Sequence, residues 1–526
     1  MPYAIDLFCG AGGFSEGILQ SGFDIVFSSD KSPMAQETYT NRHKELGIEQ
    51  GIDTHFELAD IQDLTVDFIF KKINSLKYGE IFKYGSIDAI FGGPPCQGFS
   101  RLGKRDVNDP RNMLFHEYLR IIKGIRPKYV VMENVTGILD MQLFNFPSLV
   151  NQKYLGQHSV PEILKNELIH LGYTVLDMEI INAADFGVPQ QRNRAFFLAY
   201  RNDVHPLSYP KRKSNRLITV HDAFGDLYSD IKYSTSYSQT SIMGRTPSKT
   251  NNVPIKRRSI TNMEKSNHDI TVIERFSLYN EGENRRKALN RIQKEGIDLF
   301  EKAPNLFFES LFHVNGEGNA KVIRQALTKF NSEENINFSD RWLYTTNKQL
   351  STIAMINNEG RLFEKSIKAL SRRIGLDYSQ TIEFWFSIKD LLNEKITAKD
   401  LQEAFLKGDI DAPMIDALFT KKGIRTRLDS CEVSPTMVTL PDDYIHPFLN
   451  RILTVREMAR LQSFDDSFEF LGKRTTGGDK RAVETPQFTQ VGNAVPPLLA
   501  KAVASEVIKA IKKTESKYYL KQTGAL

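Results

Sequence analysis

Cysteine is scarce, with Cys9, Cys96 and Cys431 as the whole supply in a chain of 526 residues. An odd and scattered set of three forms neither a disulfide framework nor a zinc pattern, so the expectation is a reducing compartment and no metal. No run of about 18 apolar residues occurs, which argues against a membrane-spanning helix. Met1-Pro2-Tyr3 leads straight into a strand pattern with no secretory signal, and a cytoplasmic protein is expected. Internal repeats and low-complexity tracts are also missing. Charge is nearly balanced: 69 Lys and Arg against 64 Asp and Glu leave a formal charge of +5, so any polyanionic partner must be argued from local clusters. What remains, 40% apolar and 25% charged, is an ordinary globular composition, and the chain is long enough for more than one core.

The first chemical signal is Gly92-Gly93-Pro94-Pro95-Cys96-Gln97-Gly98-Phe99-Ser100, which follows an apolar run, Ile87 to Phe91, patterned as a buried parallel strand. Two glycines allow close approach of backbone to a ligand, and two prolines fix the turn. An isolated cysteine is usually a small buried hydrophobe. Cys96 instead sits at the carboxyl end of a strand, where open α/β sheets bind ligands, and is the candidate nucleophile. A second turn, Cys9-Gly10-Ala11-Gly12-Gly13, joins strand Tyr3 to Phe8 to a helix that Gly22 ends. It departs from the dinucleotide fingerprint because Ser15 holds the place of the third glycine, which disfavours a nicotinamide cofactor. Asp30 closes the next strand about twenty residues on, where a carboxylate can accept both hydroxyls of a ribose.

These stretches carry a resemblance. GGPPCQGFS resembles the catalytic loop of the DNA cytosine-5 methyltransferases of bacterial restriction-modification type, and DLFCGAGGFSEG resembles their S-adenosylmethionine loop. Further matches follow in order: Asp60 at a third strand end, Glu133-Asn134-Val135, the Gln190-x-Arg192-x-Arg194 run, and His221 to Leu227. After a gap come Arg425 to Leu428, Leu453 to Gln462, and Gln490 to Pro497. The resemblance implies a doubly wound, mostly parallel α/β sheet, with Cys96, Glu133, Arg192 and Arg194 as catalytic residues. It implies S-adenosyl-L-methionine as cofactor, held by Phe8, Gly10, Gly12, Gly13, Asp30, Asp60, Pro94 and Asn493. Lys31 stands where the family often has an apolar or aromatic residue packing on the adenine. Gln97, Ser100 and Arg101 would contact DNA, and the polar stretch Arg101 to Arg111 is expected to be mobile and to close over it.

Residues 1–227 and 424–526 are expected to form the catalytic domain. Its last helix, running to about Lys512, returns to flank the first strand and brings Asn493 beside the cofactor. Residues 228–423 match nothing familiar and are expected to form a smaller, mixed target-recognition domain. Within them Arg245 to Lys265 carries six basic residues against one acid, which suggests phosphate contacts by Lys256, Arg257 and Arg258. Duplex DNA is thus the expected partner of a monomer, with a restriction endonuclease acting on the same site without a stable complex. Two other functions remain open from sequence: a tRNA cytosine-5 methyltransferase, and an inactive DNA-binding regulator that keeps the cofactor site.

Overall fold

The computed structural model describes residues 1–95, 113–212, 216–228, 234–257, 259–330, 336–419, 425–478, 480 and 483–522, the last six as backbone. Cys96, Gln97, Ser100, Arg101 and Arg258, and the stretch Arg101 to Arg111, lie outside the described residues. Two compact units are present: unit 1 is Met1–Glu264, Ser430–Pro441 and Leu453–Leu526, and unit 2 is Lys265–Asp429 and Asp442–Ile452.

Unit 1 is built on strands β1 (Tyr3–Leu7), β2 (Asp24–Asp30), β3 (His55–Leu58), β4 (Ala89–Gly92) and β5 (Tyr129–Asn134), followed by a small hairpin of β6 (Gln142–Phe144) and β7 (Gln157–Ser159). β8 (Tyr173–Val175), β9 (Glu179–Asn182) and β10 (Asn193–Arg201) complete the main sheet. Its order is β3-β2-β1-β4-β5-β10-β8, with β9 also pairing β10. The first five are parallel and β10 is antiparallel to its neighbours, which is the mostly parallel α/β sheet expected. The segment Tyr173 to Ile181, patterned as one strand, is two, because the residues between them leave the ladder.

Alternation along β5 shows why both faces need cover. Val130 and Met132 join one core, with Ile5, Leu7, Phe115 and Ile122, while Tyr129 and Val131 join the other, with Phe91, Phe196 and Leu198. Helices α3 (Val66–Asn74), α4 (Leu114–Ile125) and α5 (Val160–His170) cover the first face. Helix α1 (Gly13–Gln20) and the final helix, α20 (Pro497–Gln522), cover the second, and α2 (Pro33–Glu45) follows β2. The last helix packs against α1, the helix that follows the first strand. A methyl group on Gly17 would lie 2.4 Å from Ala500 Cβ and 2.4 Å from Lys501 N, so α1 and α20 touch backbone to backbone there.

Beneath the first turn, a polar chain joins four elements. Ser15 Oγ of α1 donates to Asp6 Oδ2 of β1 at 2.5 Å and lies 3.2 Å from Tyr39 Oη of α2, which in turn lies 2.5 Å from Ser28 Oγ of β2. Asp6 is buried, and its Oδ1 has no hydrogen-bond partner among the described residues. Burial pushes its carboxyl up to about 7, the Asp30 charge adds to this, and the Ser15 bond opposes it.

The second unit differs from expectation in boundary and content. The segment before Lys265, including α6 (Val220–Phe224) and α7 (Ser236–Met243), belongs to unit 1. It is stitched there by Lys249 to Asp24, by Arg257 to Glu45 and Glu469, and by a reciprocal pair in which Asn262 Nδ2 donates to Phe470 O and Asn262 Oδ1 accepts from Phe470 N–H, both at 2.9 Å. Unit 2 is helical rather than mixed. It holds α8 (Ile270–Ser277), α9 (Arg285–Glu295), α10 (Leu299–Lys302), α11 (Pro304–Val314), α12 (Gly316–Thr328) and α13 (Asp340–Ala354), then α14 (Gly360–Ile374), α15 (Tyr378–Ile388), α16 (Ala398–Lys407) and α17 (Ala412–Phe419). The described strands in it are β11 (Thr426–Arg427) and β12 (Tyr444–Ile445), a parallel pair. Back in unit 1, α18 (Val455–Leu461) starts on the expected Thr454 cap, with a reciprocal bond from Glu457, and α19 (Gln487–Asn493) precedes α20. Among the described residues no helix is long and apolar enough to cross a membrane.

Two outcomes test these features. Gly17→Ala gains up to about 1 kcal/mol of helix propensity, but the overlap falls on backbone atoms that cannot move aside, and overpacking of this kind costs about 1 to 3 kcal/mol. Urea unfolding should therefore show net destabilisation; unchanged or raised stability would refute the close approach. Asp6 ionises near pH 3.8 when unexposed structure is lost and near 7 when folded. The folded state thus holds the proton longer, its stability is full below the lower value, and it declines as pH rises to the upper one. Removing this group should make Asp6→Asn gain on the wild type by a few kcal/mol, at roughly 1.4 kcal/mol per pKa unit, between pH 4 and 8. Denaturation curves whose separation ignores pH would contradict it.

Candidate active site

The sheet order reverses between β1 and β4, and in such sheets a ligand binds outside the carboxyl ends of the strands at that switch point. Both sequence-identified turns leave from there. A cavity of about 460 Å³ lined by Tyr3, Asp24, Lys77 and Lys249 lies at the opposite, amino-terminal ends of β1 and β2, and topology does not favour it as the active centre.

In the first turn Phe8 has φ +58°, a strained left-handed conformation for an aromatic residue, of the kind that marks functional turns. The three glycines then do different work. Gly10, at φ +54°, faces open space: a Cβ there would meet nothing within 4 Å among the described residues. Gly12 at φ +98° lies against the Tyr39 ring, and a Cβ on Gly13 would come 2.5 Å from Val495 O. Only Gly10 of the three has room for a ligand beside it; Gly12 and Gly13 seat the turn. Asp30 Oδ2 accepts from Gly10 N–H at 3.0 Å and Oδ1 from Ser32 N–H at 2.8 Å, which fixes the carboxylate at the end of β2. Burial raises its pKa, and these two N–H groups act against that. Asp60 Oδ1 accepts from Gln62 N–H at 3.2 Å, and Lys31 Nζ lies 3.8 Å from Asp60 Oδ2. Lys31, at the expected adenine-stacking position, is thus turned toward the acid at the end of β3. Asn493 is exposed at the end of α19, next to Ala494, whose Cβ would lie 2.9 Å from a Cβ on Gly13.

The second cluster joins β4, β5 and β10. Glu133 is buried at the end of β5, opposite Phe196 in the ladder, and its Oε1 lies 2.8 Å from Arg194 Nε. Burial raises the Glu133 pKa, while the charges of Arg194 and Arg192 hold it down. A Cβ on Gly93 would lie 3.3 Å from Glu133 Oε2, and Asn134 Nδ2 donates to Pro94 O at 3.1 Å. The turn that leads to Cys96 is therefore anchored on the residues that carry the acid. Asn134 had no role in the sequence argument beyond its place in the ENV run. Asp6 was also missed, although a charged residue inside an apolar strand was a visible signal.

Arg192 has a different position from the one expected. It is 1% exposed, and its guanidinium donates to Met437 O at 2.9 Å, Gly492 O at 2.8 Å and Ala494 O at 3.1 Å. Gln190, also buried, accepts from Met437 N–H at 2.9 Å and donates to Leu461 O at 3.1 Å. Both precede β10 and hold returning segments in place, whereas Arg194 reaches the acid. The basic run differs as well. Arg257 donates to Ser467 O and pairs with Glu45 and Glu469, so its donors are committed within unit 1, while Lys256 is exposed. Among the described residues no group of three or more His, Cys, Asp and Glu could hold a metal ion.

Known proteins resemble this chain over nearly its whole length. The chain is 28% identical over 505 residues to the type II methyltransferase M.DdeI of Desulfomicrobium norvegicum, spanning 96% of this chain and 88% of that one. It is 27% identical over 508 residues to the type II methyltransferase M1.HphI of Haemophilus parahaemolyticus, spanning 96% and 86%. Among solved structures, a prophage-encoded DNA modification methyltransferase from E. coli shares the fold with a TM-score of 0.55 at 18% identity, over 97% of this chain and all of that one. The family profile described as C-5 cytosine-specific DNA methylase matches residues 3–509. With its mostly parallel sheet, its switch-point turns and its acid at the end of β5, the chain belongs to the C-5 cytosine-specific DNA methylases.

Proposed function

We propose that this enzyme, a DNA cytosine-5 methyltransferase, uses Cys96 as nucleophile and the Glu133–Arg194 pair as its electrostatic partner on a cytosine flipped out of duplex DNA. The observation that carries the assignment of roles is the 2.8 Å ion pair at the end of β5, beside the Gly93-Pro94 turn. Carbon 5 of cytosine is a poor nucleophile, and addition of a thiolate to carbon 6 makes carbon 5 enamine-like. A free thiol near pKa 8.5 is only a few per cent ionised at neutral pH, so Cys96 needs help from its surroundings. Glu133, with its pKa raised by burial, can hold a proton and share it with ring nitrogen 3 as charge develops there. Arg194 spends Nε on Glu133 and Nη1 on Asn193 O, and among the described residues this leaves Nη2 for the ring carbonyl oxygen. Arg192 acts as a positioning residue. Once carbon 5 carries the transferred methyl group, loss of its proton to solvent re-forms the 5,6 double bond and breaks the carbon 6–sulfur bond, releasing the Cys96 thiolate. The base must leave the stack for any of this, at a cost of a few kcal/mol.

S-adenosyl-L-methionine fits the residues of the first turn: Gly10 offers open space, Asp30 is an anchored acid for ribose hydroxyls, and Asp60 stands at the next strand end. When bound it supplies an electrophilic methyl group. Phe8, Pro94 and Asn493 would complete its walls. We assign sequence choice to unit 2, and we place the enzyme in the cytoplasm as a monomer, sharing its DNA site with a restriction endonuclease as in a type II system.

Bisulfite sequencing of DNA from cells that express the chain should reveal methylated cytosines in one sequence context, and their absence would remove the activity; incorporation into tRNA instead would support the RNA alternative. Cys96→Ser should lose methyl transfer while keeping cofactor affinity, and the wild type, but not Cys96→Ala, should form a denaturation-resistant adduct with duplex DNA carrying 5-fluorocytosine. An equal adduct yield in Cys96→Ala would exclude the thiol. Asp30→Ala should weaken S-adenosylmethionine binding by about 1 to 3 kcal/mol by calorimetry; unaltered affinity would take Asp30 out of the ribose role.

A further inference from the structure

Helix α14 in unit 2 carries Arg361, Lys365, Lys368 and Arg372, spaced four, three and four residues apart, so that all four stand on one face, and all four are exposed. The opposite face, Phe363, Ile367, Leu370 and Ile374, is buried in the unit's second core. Within Gly360–Ile374 there are five basic residues and one acid, Glu364. Arg373, the fifth, is used for packing: its guanidinium bonds Gln349 Oε1 at 3.1 Å and Thr345. The four on the stripe have no carboxylate partner among the described residues.

On other basic helices of the unit some charges are paired, although Arg286, Lys287 and Lys294 of α9 have no carboxylate partner among the described residues. On α9, Arg285 pairs with Asp416 at 3.3 Å and Arg291 with Glu283 at 2.8 Å, and on α16, Lys407 pairs with Glu403 at 3.3 Å. Nor does helix stability account for the stripe. Arg372 suits the negative carboxyl end of the helix dipole, but Arg361 lies in the first turn, at the positive end, where a cation is unfavourable; the acid at that end is Glu359, at the N-cap. Four like charges spread over twelve residues span about 16 Å. One strand of duplex DNA presents about five phosphates over that length of axis, a comparable density of opposite charge. An aromatic borders the stripe: Lys368 Nζ lies 5.8 Å from the Tyr378 ring centroid, and Tyr378 is itself exposed at the start of α15.

We propose that the Arg361, Lys365, Lys368, Arg372 face of α14 is a docking surface for the sugar-phosphate backbone of duplex DNA. The inference rests on the DNA methyltransferase assignment and adds the surface by which unit 2 grips the duplex. It replaces the Lys256 to Arg258 run as the main phosphate contact. Since phosphate contacts carry no sequence information, the surface serves cognate and random sites alike and sets register, leaving base choice to other residues.

The test uses the full chain and a fluorescent 30-base-pair duplex of arbitrary sequence, so the recognition site need not be known. Wild type and the fourfold variant Arg361→Gln, Lys365→Gln, Lys368→Gln, Arg372→Gln are titrated between 50 and 200 mM salt. The slope of log affinity against log salt should shrink by about 0.9 for each contact removed, up to about 3.6 in all. Thermal unfolding and S-adenosylmethionine affinity should match the wild type, which separates lost contacts from lost fold. Lys365→Arg with Lys368→Arg should keep the wild-type slope, because a phosphate contact needs the charge and not the particular side chain. A fourfold variant with unchanged affinity and slope overturns the proposal, as does a loss that appears with transfer RNA but not with duplex DNA. If the wild type neither binds nor methylates duplex DNA, the enzymatic assignment fails first and takes this surface with it.

Discussion

The contact between α1 and α20 is the constraint from which the rest of unit 1 follows. The sheet face bearing Ala4, Phe91, Val131, Phe196 and Leu198 is apolar and must be covered, and α1 alone, at eight residues, is too short to do it. Cover comes from Leu499, Ala500, Val503, Ala504 and Val507, and the small residues among them permit the close approach at Gly17. Once α20 is seated, Val495 and Ala494 lie against Gly13, beside the turn that follows β1. A packing requirement on one face of the sheet thereby fixes the surroundings of that turn.

Buried arginines serve the same end by other means. Arg42 pairs with Glu16 at 2.8 Å, Arg460 with Asp466 at 2.6 Å, and Arg456 donates to Thr261 O and Asp465 O at 3.1 and 2.7 Å. Removing one partner of such a pair leaves an uncompensated charge in a low dielectric, so each acts as a geometric lock on distant chain segments. Arg192 belongs with them. Its three carbonyl acceptors come from chain about 245 to 302 residues later, and they hold the approach to β10 in which Arg194 meets Glu133.

What could be read from the sequence was local. The turn at Gly10 and the acid ending β2 each lie within a dozen residues of the strand pattern that places them, so periodicity and turn chemistry reached them, whereas the acid ending β5 was singled out by the family resemblance of Glu133-Asn134-Val135. The capping of α18 by Thr454 was equally accessible. Arg192 and Arg257 were not, because a one-dimensional pattern shows a basic residue without its acceptors, and a buried arginine with distant carbonyls looks the same as one offered to a phosphate. The boundary of unit 2 was misplaced for the same reason. The polar composition after Tyr228 suggested a new domain, yet Lys249, Arg257 and Asn262 find their partners in unit 1. On α14, by contrast, the arginines and lysines fall at helical spacing, but that period is visible only once the segment is known to be one helix with its apolar side buried.

The distance in sequence between α1 and α20 also has a meaning in time. Gly17 emerges from a ribosome 483 residues before Ala500, the residue it packs against. At about 5 to 20 residues per second, the interval is roughly 25 to 100 s. Throughout it, the nascent chain holds five strands' worth of apolar surface without its lid. That surface is a natural client for chaperones, because the face of the sheet is closed only after Ala500 has been made.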